Sequence, residues 1–110
     1  MVHTTVSAHR RAKVQLWRNV RRGALRLNEH SPRWRDAITR PLQMTVNTHC
    51  VVGQTVGRYS SHPYTYGLAR LGLTTMDAAN HGFSVVSVHD GWGELQGAWR
   101  RVIRGAVTVR

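Results

Sequence analysis

The sequence predicts a small α+β domain, and three observations support this prediction. The chain has 110 residues, enough for one hydrophobic core and too few for two ordinary domains. Apolar residues make up 41% and charged residues 19%, a balance typical of a folded globular protein. Apolar side chains recur at helical spacing near both ends, whereas the middle of the chain alternates with period two. We therefore expect amphipathic basic helices at the N- and C-terminal ends, around a short antiparallel β-hairpin or small sheet.

Positive charge is concentrated in the first part of the chain. The formal net charge is +11, and ten of the 16 basic residues lie within residues 1–40 together with two acids. We treat residues 1–110 as a single domain, with a basic helical part at 1–40 and an α+β part at 41–110. So large a positive charge favours an anionic partner.

The first predicted element is a helix from about Ser7 to Leu27, which contains "HRRAKVQLWRNVRRG" at positions 9–23. That stretch has six basic residues in fifteen positions and no acid. At about 100° per residue, one half of the helix is mainly apolar; its apolar members are Ala8, Ala12, Leu16, Trp17, Val20, Ala24 and Leu27. The other half carries the arginines of the helix, namely Arg10, Arg11, Arg18, Arg21, Arg22 and Arg26.

The next stretch, "SPRWRDAITRP" at 31–41, predicts a short helix with Ser31 as N-cap, Pro32 at its first position and Pro41 as its stop. From Leu42 to Val52 every second residue is suited to a buried face, which predicts a half-buried strand. A turn at Gly53-Gln54 and a second strand over 55–60 would complete a β-hairpin.

The stretch from 60 to 83 predicts two short helices, the first between Pro63 and Gly72 and the second capped by Thr74 or Thr75 and ended by Gly82. A DNA-reading helix-turn-helix is the sharper alternative. Its second helix would be short and would carry Asp77 with no arginine, which phosphate repulsion disfavours, so two packed helices without a DNA role are the preferred interpretation.

The last predicted elements are a short strand over "SVVSV" at 84–88 and a helix capped by Asp90. The apolar stripe of this helix faces away from Arg100, Arg101 and Arg104; it consists of Trp92, Leu95, Ala98, Trp99, Val102 and Ile103.

Residues 77–103, "DAANHGFSVVSVHDGWGELQGAWRRVI", resemble the ends of small uncharacterised proteins of actinobacterial phages. In those proteins a "DAA..GF" turn precedes a helix carrying "L..AW...I". The resemblance covers about a quarter of the chain and implies a phage-encoded accessory protein in a bacterial cytoplasm. It implies no chemistry.

Cys50 is the only cysteine, so no internal disulfide can form and a reducing compartment is expected. No apolar run approaches the ~18 residues of a membrane span, and the N-terminus lacks the apolar region of a secretory signal. A mitochondrial transit peptide remains an alternative, because seven basic residues precede the first acid, Glu29. We expect a cytoplasmic protein without a membrane partner.

No pattern of residues predicts catalysis, a metal site or a cofactor. The histidines and Cys50 lack the paired spacing of a zinc site, and no glycine-rich phosphate loop is present. Cys50 has no glycine-rich elbow around it and its place in the strand pattern points to the core, so we expect it to be structural. Distant residues can still form a hidden site, but the expected function is not enzymatic.

The arginine half of the first helix remains as the candidate functional surface. One sign of charge fills it, and a bound polyanion would relieve the repulsion between its members. We expect contacts to the phosphates of DNA or RNA, largely without sequence preference. The "RWR" at 33–35 extends this hypothesis, because an aromatic ring between two cations can stack on bases. The candidate nucleic-acid-binding residues are Arg10, Arg11, Arg18, Arg21, Arg22, Arg26, Arg33, Trp34 and Arg35.

A protein-interaction module is the alternative function. It would dock on an acidic surface of a host protein, or self-associate into a homo-oligomer. The sequence does not choose between DNA and RNA, and it gives no oligomeric state.

Overall fold

The computed structural model describes residues 2–85 and 91–105, with side chains from residue 10 onward. The α-helices in these ranges are α1 (Val2–His30), α2 (Val51–Gln54), α3 (Pro63–Arg70) and α4 (Trp92–Ile103). Single turns of 3₁₀ helix cover Trp34–Ala37 and Ala79–His81. No β-strand occurs in the described ranges, so the predicted α+β fold is wrong and the protein is helical there.

Helix α1 confirms the predicted N-terminal helix and is longer than expected at both ends. Its C-terminal half is anchored in the core, where Val20, Ala24 and Leu27 have no exposed surface. Leu16 and Trp17 are partly buried against that core, whereas residues 10–15 are all exposed. The apolar stripe is therefore buried only along its second half.

Two glycines allow α1 to pack closely against the segment that follows the turn at Ala79–His81. A Cβ on Gly23 would lie 2.0 Å from the carbonyl oxygen of His81, and a Cβ on Gly82 would lie 2.7 Å from the Cα of Val20. Gly82 also has a φ of +69°, a left-handed conformation that glycine adopts without steric cost. Both positions need glycine because backbone meets backbone there.

The centre of the core is an aromatic cluster organised by Trp99 of α4. Its ring stacks on Phe83 with centroids 5.5 Å apart and lies nearly perpendicular to Trp34 with centroids 5.9 Å apart. The indole N–H of Trp99 donates to the carbonyl oxygen of Gly82, so its polar atom is satisfied inside the core. Trp99 has no exposed surface, and Leu95 and Val102 are each 1% exposed. The predicted apolar stripe of the last helix is confirmed.

The predicted hairpin over residues 42–60 is wrong. Residues 42–50 form a loop closed by its own backbone, with the Gln43 N–H donating to His49 O at 3.2 Å. Val51 and Val52 are consecutive and both buried, which a strand with one exposed face does not allow. They instead begin α2, whose N-cap is Cys50; the Cys50 sulfur accepts from the N–H of Gly53 at 3.3 Å.

Gly53 has a different role from the hairpin turn predicted for it. A Cβ at this position would lie 1.7 Å from the carbonyl oxygen of Asn47, so the loop can close against α2 only over a glycine. The position does require glycine, but close backbone approach, rather than a turn between strands, explains it.

The predicted helix at 31–41 is reduced to the 3₁₀ turn at Trp34–Ala37. Ser31 was expected to cap a new helix, but its N–H donates to Leu27 O at 2.7 Å and so continues the end of α1. The chain leaves the 3₁₀ turn in an extended conformation at Ile38.

Helix α3 begins at Pro63 and closes at Gly72, as predicted. Gly72 has a φ of +74°, and the N–H of Leu73 donates to Leu68 O at 2.9 Å, which is a Schellman ending. The expected second helix is shortened to the 3₁₀ turn at Ala79–His81, preceded by a turn in which Asp77 accepts from Thr74. The described chain therefore has no second helix of a helix-turn-helix at this place.

The third predicted strand and the Asp90 cap fall mainly outside the described residues. Ser84 and Val85 are described and are not part of a strand, while 86–90 are not described. Helix α4 has Gly91 at its N-cap position, with a φ of +73°.

Candidate nucleic-acid interface

The outer side of α1 projects beyond the body of the molecule. A helix of 29 residues is about 43 Å long, and the molecule extends 49 Å along its long axis against 27 and 25 Å along the others. Residues 10–15 of α1 are all exposed. This segment is open to a partner.

Five arginines of α1 form a continuous exposed surface, which we name the basic face. They lie within an arc of about 120° on the helix, since positions three, four, seven and eleven apart share a side. All five are exposed; they are Arg10, Arg11, Arg18, Arg21 and Arg22. Five of the predicted site residues thus lie together on one surface.

The basic face contains cations without a counter-ion. The side chains of Arg10, Arg18 and Arg22 make no hydrogen bond or ion pair within the described part of the chain. Lys13, beside the basic face, is exposed and also has no partner there. The first acid in the sequence is Glu29, at the far end of α1. No ion pair within the described part of the chain neutralises these four charges, so they are available to an external anion.

Helix α4 adds one cation to the edge of the basic face. The guanidinium carbon of Arg101 lies 5.3 Å from the centre of the Trp17 ring, a cation–π contact between the two helices. Arg101 is itself exposed. Positive charge from α4 therefore adjoins the basic face of α1 at this residue. Its position depends on how α4 crosses α1, which periodicity within one helix does not reveal.

Arg26 differs from the other arginines of α1. Its side chain is partly buried and donates to the carbonyl oxygen of Leu71 at 3.4 Å. That contact ties α1 to the end of α3. Arg26 therefore has a role within the fold and lies at the margin of the basic face.

The three candidates at 33–35 lie outside α1, and each has a partner within the fold. Trp34 is 1% exposed, and its N–H donates to Asn28 Oδ1 at 2.8 Å, so its ring is not open to a base. Arg35 lies over that ring at 4.5 Å and donates to Val102 O at 3.3 Å. Arg33 is paired with Asp36 at 2.9 Å. The contacts of Trp34 and Arg35 hold the turn at Trp34–Ala37 against the core, whereas the Arg33–Asp36 pair lies at the surface.

A shallow groove overlaps the basic face, and residues of α1 alone line it. Its apolar side chains are Val14, which is 50% exposed, and the partly buried Trp17. Basic side chains surround them: Arg10, Lys13, Arg18 and Arg21. An apolar centre with a positive rim can contact a protein as well as a nucleic acid.

Cys50 is held as a buried structural residue. It is 2% exposed, and burial raises the pKa of its thiol, although backbone hydrogen bonds oppose that shift. A thiol with a raised pKa is a poor nucleophile. In the described residues no group of three His, Cys, Asp or Glu side chains is placed to hold a metal ion.

Comparison with known protein families, curated proteins and solved structures finds no match for this chain. Among the described helices, none combines the length and the apolar character that crossing a membrane requires.

Proposed function

We propose that the protein binds nucleic acid through the basic face of α1, mainly by phosphate contacts that do not depend on sequence. The observation that carries this proposal is the set of exposed cations without counter-ions, namely Arg10, Lys13, Arg18 and Arg22. Phosphate contacts from such residues supply most of the affinity of nonspecific nucleic-acid binding.

The dimensions of the exposed segment suit a polynucleotide. From residue 10 to residue 22 the helix rises about 18 Å, and a DNA duplex carries on the order of ten phosphates over that length. The projecting half of α1 can follow the backbone, and an isolated helix also fits the ~12 Å width of a major groove. Because contacts to phosphates carry no sequence information, the proposal includes both DNA and RNA.

Salt-dependent binding tests the proposal. For about four phosphate contacts, the logarithm of the association constant should fall with the logarithm of salt concentration with a slope of about −4. Fluorescence anisotropy with labelled duplex DNA, single-stranded DNA and RNA measures both affinity and slope. The double variant Arg18→Glu/Arg22→Glu should bind more weakly and show a slope shallower by about two, because each neutralised phosphate accounts for about 0.9 of the slope.

A matched control separates local contacts from net charge. Arg40→Glu/Arg58→Glu changes the charge equally, and both residues are exposed away from α1. This control should keep most of the affinity for duplex DNA with 5′-hydroxyl ends, which carries no terminal phosphate monoester. Equal losses in the two double variants would show that only overall charge matters, and an unchanged Arg18→Glu/Arg22→Glu protein would refute the proposal.

An acidic protein surface is the second candidate partner, and the groove around Val14 and Trp17 favours it. An apolar centre with a charged rim is the usual composition of a protein interface. Val14→Gln keeps every charge, so it should leave nucleic-acid binding intact and weaken docking of an acidic protein. Heparin retention and the A260/A280 ratio of the purified protein provide a first discrimination, because a high ratio indicates bound nucleic acid.

The cellular setting belongs to the same proposal. We place the protein in a bacterial cytoplasm, as the resemblance of residues 77–103 to phage proteins implies, where nucleic acid is the abundant polyanion. The phage origin stays a prediction.

A further inference from the structure

A second positively charged site lies away from α1, in a cleft of about 280 Å³. One wall is the chain after the turn at Trp34–Ala37, and the other is the loop from Arg58 to Pro63. Gly53 and Gln54 of α2 also line it. None of the described residues that line this cleft is acidic, and two of them, Arg40 and Arg58, are arginines.

The first wall is fixed by the buried side chain of Gln54. Its Oε1 accepts from the N–H groups of Thr39 and Arg40 at 3.1 and 2.9 Å. Its Nε2 donates to the carbonyl oxygens of Arg40 and His49 at 3.2 and 2.7 Å. All four hydrogen-bonding positions of this amide are used, so Gln54 positions the backbone of Arg40 and is not itself a ligand.

The second wall is also held in place. Gly57 packs against the first residue of α3 so closely that a Cβ would lie 1.8 Å from Pro63 O. Tyr59 has a φ of +71°, a left-handed conformation that is costly for any residue with a Cβ. Strained residues that the surrounding structure over-determines are concentrated at binding sites. The Tyr59 side chain is 90% exposed at the rim of the cleft.

The donors of the cleft are available to a ligand. The guanidinium of Arg40 has no partner among the described residues, and that of Arg58 lies 4.8 Å from the centre of the Tyr59 ring. Ser60 Oγ accepts from the N–H of His62 at 3.1 Å, which leaves its own proton to donate. Guanidinium groups bind phosphate oxygens with two parallel hydrogen bonds, so two arginines and a hydroxyl match a phosphoryl group.

We propose that this cleft binds a phosphate monoester of a nucleotide between Arg40 and Arg58, with the Ser60 hydroxyl as a further donor. A cleft of about 280 Å³ is below the usual range for a complete small-molecule ligand, so the phosphate enters and the base stays outside, near the exposed ring of Tyr59. A phosphate monoester carries nearly two negative charges at neutral pH. Only one of its oxygens is esterified, so the other three can accept hydrogen bonds. The ligand is therefore a free nucleotide or the phosphorylated end of a nucleic acid.

Calorimetric titration of the full chain with inorganic phosphate and with adenosine monophosphate tests the site. The double variant Arg40→Gln/Arg58→Gln should bind adenosine monophosphate at least about tenfold more weakly, as expected for loss of hydrogen bonds to a charged group. Wild-type affinity should rise as the pH increases through about 6, because the monoester then gains its second charge. Ser60→Ala should cause a smaller loss, and thermal melts should show that all variants are folded.

A matched control makes the failure of this site distinct from failure of the basic face. Arg18→Gln/Arg22→Gln removes the same charge from α1 and should bind adenosine monophosphate like the wild type. The proposal is overturned if the wild type does not bind adenosine monophosphate at millimolar concentration, or if the two double variants lose affinity equally.

Two oligonucleotides of one sequence, with a 5′-phosphate or a 5′-hydroxyl, identify the source of the phosphate. Tighter binding of the phosphorylated strand, abolished in Arg40→Gln/Arg58→Gln, supports the site and assigns it to a nucleic-acid end. Equal binding of both strands, together with binding of adenosine monophosphate, supports the site and assigns it to free nucleotides.

Discussion

Replacing Trp99 by alanine removes the centre of the core, and we expect it to lower the free energy of unfolding by about 3–5 kcal/mol. Trp99 has no exposed surface, so the whole ring leaves a cavity between α4 and α1. The substitution also removes the stacked contact with Phe83 and the edge contact with Trp34. Each aromatic pair contributes about 0.5–1.5 kcal/mol beyond the burial of area.

The polar atom of Trp99 adds to this cost. Its N–H is the donor to the buried carbonyl oxygen of Gly82, and an unsatisfied buried acceptor costs about 1–3 kcal/mol. Because these contributions overlap, the upper half of the range of about 3–5 kcal/mol is the expected result. That is a large share of the roughly 5–15 kcal/mol that stabilises an ordinary domain.

Thermal and urea unfolding followed by circular dichroism measure the effect. At about 4 °C per kcal/mol for a chain of this length, Tm should fall by about 16–20 °C. Trp92→Ala is the control, because Trp92 is in the same helix but only partly buried, and it should cost distinctly less. A Trp99→Ala protein that melts at nearly the wild-type temperature would refute the placement of this ring at the centre of the core.

Four further predictions concern other parts of the fold. Gln54→Leu should cost about 2–5 kcal/mol in urea unfolding, since it leaves backbone groups of Thr39 and Arg40 without partners. Gly23→Ala should lower Tm clearly, whereas Gly97→Ala, whose Cβ would meet nothing within 4 Å, should not. Cys50 in the folded protein should react with a thiol reagent only as fast as the core opens, and Cys50→Ala should keep nucleic-acid binding. Hydrogen bonds from Thr74, first from its N–H and then from its hydroxyl, lower the pKa of Asp77. Because this pKa is lower in the folded than in the unfolded protein, the ionised Asp77 carboxylate stabilises the fold. The stabilisation is complete above the unfolded-state pKa and is lost as the pH falls through the folded-state pKa. The stability of Asp77→Asn should therefore fall less on acidification than that of the wild type.

Sequence periodicity predicted the helices whose buried faces are determined locally. In α1 and α4 the apolar side chains recur every three or four residues, and those positions are buried in the structure from Val20 to Leu27 and from Leu95 to Val102. The same method failed at 42–60. Alternating apolar side chains indicate a strand only where a second strand supplies hydrogen-bond partners for the backbone N–H and C=O groups. Here the backbone is satisfied by turns and by one side chain, that of Gln54.

The candidate surface was predictable to the extent that it belongs to one helix. The arginines from Arg10 to Arg22 lie on one side of α1 by periodicity alone. The fate of Trp34 was not predictable, because an aromatic residue between two arginines has the same sequence whether its ring is exposed or buried. Its burial follows from tertiary contacts, with Asn28 as hydrogen-bond acceptor and Trp99 as ring partner.

The two halves of α1 are physically coupled through this arrangement. Arg18 and Arg22 are one turn apart, and like charges at this spacing destabilise a helix by about 0.2–0.5 kcal/mol per pair. An isolated helix of fewer than ~15 residues is marginal in water, so the segment before Leu16 depends on the part of α1 that is anchored by Val20, Ala24 and Leu27. A polyanion bound as proposed would neutralise the basic face and remove the repulsion, and it would thereby stabilise α1. Binding and folding of α1 therefore favour one another, and mutations in the anchored half should weaken binding even though they touch no phosphate.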